Sequence, residues 1–146
     1  MAIIRIGVDL AKNVFAVHGV DELGRVQLAR TIRREQLLEV LAAVPPCLVA
    51  MEACSGAHHW ARQLVALGHT ARIIAPKFVA PYRMSGKQGK NDANDAEAIC
   101  EAVGRPNMRF VPIKTVEQQN IQALHRIRTE LVRQRTAKVN QIRGLL

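Results

Sequence analysis

The stretch Ile3-Ile4-Arg5-Ile6-Gly7-Val8-Asp9-Leu10 decides how the chain is to be read. Ile3 to Val8 is a short apolar run, interrupted by Arg5, and it ends in a carboxylate at Asp9. Lys12 to Val20 then alternates around Val14, Ala16 and Val17, and Asp21-Glu22-Leu23-Gly24 supplies a hairpin turn. Arg25 to Ile32 reads as a third strand, so the chain is predicted to open with an antiparallel meander of three strands.

Beyond the meander the period changes. Arg34 to Val44 places Leu37, Leu38 and Leu41 on one helical face, and Pro45-Pro46 ends it. Cys47 to Met51 is a buried strand that delivers Glu52 at its end. Ser55 is the expected N-cap of a helix running to Leu67, with Gly68 as its stop. His69 to Ala75 is another strand, closed by Pro76. Pro76 to Asn91 is basic, holds Gly86 and Gly89, and is expected to be in part a mobile loop. Asn91 can cap a helix from Asp92 to about Val103, which Gly104-Arg105-Pro106 stops. Met108 to Ile113 fits a short strand or an extended connection, and the residues do not choose between them.

Thr115 to Leu146 reads as one long helix, with an apolar seam through Leu124, Ile127 and Leu131 that shifts to Val132, Val139 and Ile142. A shifting seam fits an imperfect coiled coil or a helical hairpin arm. The predicted organisation is an α/β domain over residues 1–112 and a long basic helix over 113–146. The helix stops without a cap or polar tail, which gives the expectation that the chain is a fragment with a further C-terminal domain beyond it.

At 146 residues and 49% hydrophobic composition, the chain can bury a real core, built from Ala, Val, Ile and Leu because aromatics are only 3%. No apolar run approaches the roughly 20 residues of a membrane-spanning helix. No signal peptide pattern opens the chain, so a soluble cytoplasmic protein with no membrane partner is expected. The formal charge of +9 favours a polyanionic partner. Its distribution sharpens the point. Arg72, Lys77, Arg83, Lys87 and Lys90 occur with no intervening acid, and Arg126, Arg128, Arg133, Arg135, Lys138 and Arg143 face only Glu130. The candidate nucleic-acid contacts are Lys12, Arg83, Lys87, Lys90, Arg126 and Arg133.

Cys47, Cys54 and Cys100 lack paired metal-ligand spacing and read as reduced thiols. His58 and His59 are adjacent, point about 100° apart on a helix, and read as surface or groove histidines.

The carboxylates carry the chemistry. Asp9 and Glu52 both end apolar strands, where an unpaired charge is costly. One could be a turn residue or a cap; two at equivalent strand ends suggest a shared site. Asp92 and Asp95, spaced i, i+3, lie on one helical face, although acids at a helix start also simply favour the dipole. Clustered carboxylates repel unless neutralised, and Mg²⁺ or Mn²⁺ prefers such oxygen donors. Two such ions about 4 Å apart can stabilise a phosphoryl transfer.

Ile6-Gly7-Val8-Asp9, the meander and the later strand-end acid resemble the ribonuclease H-like nucleases, including RuvC-type Holliday-junction resolvases. The finer resemblance is to the DEDD-type insertion-sequence transposases, whose relatives include the Piv DNA invertase. It rests on Gly7-Val8-Asp9-Leu10-Ala11-Lys12, Met51-Glu52-Ala53-Cys54-Ser55-Gly56 and Lys90-Asn91-Asp92-Ala93-Asn94-Asp95-Ala96-Glu97-Ala98-Ile99, and it covers the whole chain. The resemblance implies a ribonuclease H-like mixed sheet with flanking helices. It also implies Asp9, Glu52, Asp92 and Asp95 as the catalytic and metal-binding set for Mg²⁺ or Mn²⁺, and an enzyme that cleaves and rejoins DNA. Family members add a C-terminal domain with a serine nucleophile, and some are guided by a structured RNA. No counterpart of that domain is seen, so Ser55 is given the role of a cap and Ser85 that of a loop residue. A homodimer or higher homo-oligomer is expected.

Three other readings compete. A stand-alone RuvC-like junction nuclease would share fold and metals but needs no long basic helix. An actin-like ATPase half would need a second glycine-rich phosphate loop after Asp92, which is missing. A non-catalytic, nucleic-acid-binding assembly module would dimerise through the last helix.

Overall fold

A computed structural model describes residues 2–83 and 92–146, and of Asp92 the backbone alone. The expectations for Ser85, Lys87, Lys90 and the Asn91 cap lie outside the described residues. The chain divides into two compact units, Met1–Ile113 and Lys114–Leu146.

The first unit is built on a sheet of six strands in the order β3-β2-β1-β4-β5-β6. The strands are β1 (Arg5–Leu10), β2 (Val14–Val20), β3 (Val26–Arg33), β4 (Leu48–Glu52), β5 (Thr70–Ile74) and β6 (Phe110–Val111). The meander pairs antiparallel, with Asp9 opposite Ala16, while β1, β4 and β5 run parallel with Gly7 opposite Ala50 and Glu52 opposite Ile74. Met108–Ile113 resolves as the short strand β6, which pairs antiparallel with β5.

The hairpin between β2 and β3 is held by a buried carboxylate. Asp21 accepts hydrogen bonds from the backbone N–H of Leu23 (2.9 Å) and Arg25 (3.0 Å), from Arg25 Nε (3.1 Å) and from Gln27 Nε2 (3.0 Å). Gly24 takes the positive φ (74°) that closes the turn.

Helices cover both faces. On one, α1 (Leu37–Ala42) and α2 (Ala57–Ala66) pack Leu37, Leu41, Trp60, Ala61 and Leu64 onto Ile6, Val8, Val49 and Met51. On the other, α3 (Pro76–Val79) and α4 (Asp92–Val103) pack Val79, Ala98, Ile99, Ala102 and Val103 onto Ala50 and Ile74. The pleat assigns residues of one parity in each strand to one face. Gly7 marks the closest approach: a Cβ there would lie 2.2 Å from the Ala96 carbonyl oxygen and 2.5 Å from the Cys100 nitrogen. Helix α4 therefore rests directly on the backbone of β1.

Several local expectations are corrected. The helix expected over Arg34–Val44 begins as a 3₁₀ turn at Arg34–Gln36 and is α-helical only over Leu37–Ala42. Ser55 does not cap α2; Gly56 holds that position, with no side-chain cap. His58 is buried, 8% exposed, and only His59 faces outward. The cause is the 100° step itself, which turns the first histidine of the pair into the core when the second points out. Pro76 does close the strand but also starts α3 at its first turn, where a missing N–H costs nothing. A 3₁₀ turn follows at Ala80–Tyr82.

The second unit contains α5 (Val116–Leu145), opened by a capping box in which Gln118 N–H donates to Thr115 Oγ1 (3.1 Å) and Thr115 N–H to Gln118 Oε1 (3.0 Å). Its residues Leu124, Ile127, Leu131 and Val139 are exposed. No helix among the described residues is long and apolar enough to cross a membrane.

Candidate functional site

Strands β1 and β4 are neighbours and parallel, yet the chain leaves β1 toward β2 and leaves β4 toward β5, on opposite sides. This is a topological switch point, and in open α/β sheets ligands bind beyond the carboxyl ends of the strands there. Asp9 and Glu52 are the acids at those two ends. Asp9 shares parity with Gly7, whose missing Cβ faces α4, and Glu52 shares parity with Ala50, which packs in the α4-side core. Both carboxylates therefore project from the face that α4 covers.

Helix α4 supplies the third acid. Arg83, just after the 3₁₀ turn Ala80–Tyr82, donates from Nε to Asp95 Oδ1 (2.7 Å) and from its terminal nitrogen to Glu52 Oε1. One guanidinium thus draws together carboxylates that lie 43 residues apart in the chain, from Glu52 to Asp95. Each of these acids is 20% exposed and Arg83 is 37% exposed. Burial raises the Glu52 pKa above the ordinary carboxylate value; the Arg83 charge opposes this and Asp95 adds to it. The Glu52 carboxylate accordingly bears a charge its surroundings do not fully welcome, a common mark of a functional group.

Of the four expected acids, the structure brings Glu52 and Asp95 to one cation and sets Asp9 on the same face of the adjacent strand. The Asp92 side chain lies outside the described residues. Among the described residues no three His, Cys, Asp or Glu side chains come close enough to hold a metal ion. Arg83, expected as a phosphate contact, is engaged by two carboxylates. No sequence signal pointed to this, since its partners lie 31 and 12 residues away. Lys12 and Arg126 are exposed. Arg133 is exposed but paired with Glu130 at 2.6 Å, a contact that lowers the Glu130 pKa to about 2.

The cysteines are all free. Burial pushes the Cys47 thiol up to about 11, with Cys100 adding to the shift, and burial likewise raises Cys100.

Comparison with known proteins gives the family and the fold. The family model described as a transposase of the IS110 DEDD type matches residues 6–146. A probable family 20 transposase of Pseudomonas aeruginosa is 58% identical over 146 residues, covering 100% of this chain and 42% of that protein. The transposase for insertion sequence element IS1111A of Coxiella burnetii is 50% identical over 141 residues, 97% of this chain and 38% of that protein. The chain thus spans about two fifths of the length of these curated relatives. The Thermus thermophilus RuvC structure superposes with a TM-score of 0.52 at 13% identity, over 73% of this chain and 99% of that one. That likeness is one of fold: the mixed sheet is ribonuclease H-like, of the RuvC kind. With the family model matching nearly its whole length, the chain belongs to the DEDD transposase family of the IS110 type.

Proposed function

We propose that this chain is the catalytic part of an insertion-sequence transposase, with DNA as its substrate and Asp9, Glu52, Asp92 and Asp95 as its metal-binding set. One observation carries the reading: Glu52 from β4 and Asp95 from α4 converge on a single cation at the carboxyl end of the sheet, beside the strand that bears Asp9. The donors there are carboxylate oxygens, the kind that Mg²⁺ or Mn²⁺ prefers over nitrogen or sulfur. The place already holds a positive charge, so the donor set fits a hard divalent cation. Such an ion, when bound, stabilises charge on the attacking and leaving oxygens of a phosphoryl transfer. The chain's own part is to hold the carboxylates in position through β1, β4 and α4, and to keep their mutual repulsion in check through Arg83.

The further features of the reading follow from the family. DNA strand exchange needs two active sites together, which suits a homodimer or higher homo-oligomer formed through α5. A structured guide RNA is a second candidate partner, and the site of action is the cytoplasm, where the cell's DNA lies in a bacterium or archaeon.

The test is recombination by the full-length protein carrying Asp9→Asn or Glu52→Gln. Each change keeps shape and removes charge, so each is expected to abolish recombination while circular dichroism and thermal unfolding stay near those of the parent. Near-normal recombination in either variant with Mg²⁺ as the sole divalent ion overturns the assignment.

A further inference from the structure

The carboxyl end of the sheet has a second face. Leu10 follows Asp9 and so points the opposite way, toward α2, where it packs with Phe15 and Trp60 against the core. A cavity of about 590 Å³ opens there. Its polar wall is formed by Lys12, Arg34, Ser55, Gly56 and His59, and Trp60 forms its floor. Lys12, Arg34, Ser55 and His59 are exposed, and among the described residues no carboxylate lines the cavity.

The arginine in this groove is held in place. Arg34 donates to the Lys12 carbonyl oxygen (3.5 Å), and its guanidinium lies 5.6 Å from the centre of the Trp60 ring. His59 meets the same ring edge-on, with centroids 5.1 Å apart. Trp60 is only 7% exposed and is itself fixed edge-on against Phe15. It therefore serves as a platform for the basic side chains and leaves little of its face for a stacked base. An arginine laid on an aromatic ring is pre-ordered, so less freedom is lost when its N–H groups bind an oxyanion.

We propose that this groove binds the phosphodiester backbone of a single DNA strand, with Lys12 and Arg34 pairing with phosphate oxygens and Ser55 and His59 adding hydrogen bonds. One arginine laid on a ring and one exposed lysine, with no carboxylate among the described lining residues, would suit any phosphate. The groove's position argues for a chain of them. It backs onto the sheet rim whose other face carries Asp9 and Glu52, so a strand crossing that rim passes from the basic groove to the carboxylates. That last step rests on the function proposed above; the groove itself does not.

The experiment uses the chain's single tryptophan. A single-stranded oligodeoxynucleotide is titrated in EDTA, which keeps the result independent of any metal site, and Trp60 emission is followed beside the anisotropy of a labelled strand. The expected result is a saturable change in Trp60 emission that tracks the anisotropy. Lys12→Gln and Arg34→Gln should each weaken binding at least about fivefold and reduce the slope of log K against log salt by about 0.7, the value of one phosphate contact on a single strand. Binding that leaves Trp60 emission unchanged, or that both variants match, places the strand elsewhere and overturns the proposal. A response reproduced by inorganic phosphate at equal phosphate concentration reduces the groove to an anion site. Preference for duplex of the same length, or for the RNA strand, overturns the assignment to single-stranded DNA. Loss of recombination in the Asp9 and Glu52 variants, or its persistence, bears on the metal reading alone.

Discussion

Arg83 sits where two negative charges would otherwise face each other, and this makes its removal informative. With the guanidinium gone, Glu52 and Asp95 repel, and a divalent cation no longer has a competitor for their oxygens. An ion pair as exposed as this one contributes about 1 kcal/mol or less. Arg83→Gln is therefore expected to tighten Mn²⁺ binding by up to about fivefold, measured by titration calorimetry or by the loss of free-ion signal in electron spin resonance. Weaker binding in the variant would show instead that Arg83 positions the carboxylates for the ion. At this scale the placing of Asp9 and Glu52 at the ends of neighbouring strands was legible from the chain alone, because a charge at the end of a buried strand is costly and so stands out. Arg83 was not. One arginine among several basic residues in Arg72–Lys90 carries no mark of its partners, which depend on how β4 and α4 meet in space. His58 misled for a related reason, since an adjacent pair reveals that one side chain points inward but not which.

The elements were easier to read where a single local rule governs them. Alternation drew the meander, and α5 opens at Thr115 where a long helix was expected. Boundaries went astray where two rules compete, as at Ser55, a good cap that lost the position to Gly56, and at Pro76, which both ends β5 and begins α3. The hairpin between β2 and β3 offers a test at this level. Burial would raise the Asp21 pKa, but the Arg25 and Leu23 backbone N–H groups and the Arg25 guanidinium outweigh it and hold the carboxyl below its ordinary 3.8. A depressed acid contributes stability above its unfolded pKa, and that stability is lost as pH falls through the folded value. Asp21→Asn keeps an acceptor for the turn but turns an amide toward donors, so its melting temperature should drop at pH 7. The gap from the parent should close as pH falls below 3.8. A gap that stayed constant down to acid pH would mean that the charge contributes nothing to the turn.

The molecule as a whole presents two different surfaces to its surroundings: a sheet whose carboxyl end gathers charge of both signs, and a helix of 30 residues, about 45 Å long, with apolar side chains along it. Leaving Leu124, Ile127 and Leu131 in water is unfavourable by about 25 cal/mol for each Å² that a partner could cover. Light scattering on the 146-residue chain is expected to show a dimer, and Leu131→Asp a monomer. A monomer in both cases refutes assembly through α5. Inside the first unit, the contact at Gly7 has a consequence for how such a protein can vary. Most helix-on-sheet contacts are cushioned by side chains that can change rotamer, so a small displacement of the helix is absorbed before it reaches the strand. At Gly7 main chain lies against main chain, with no room for a side chain between them. A side chain at position 7 would therefore push α4, which bears Asp95, away from β1, which bears Asp9.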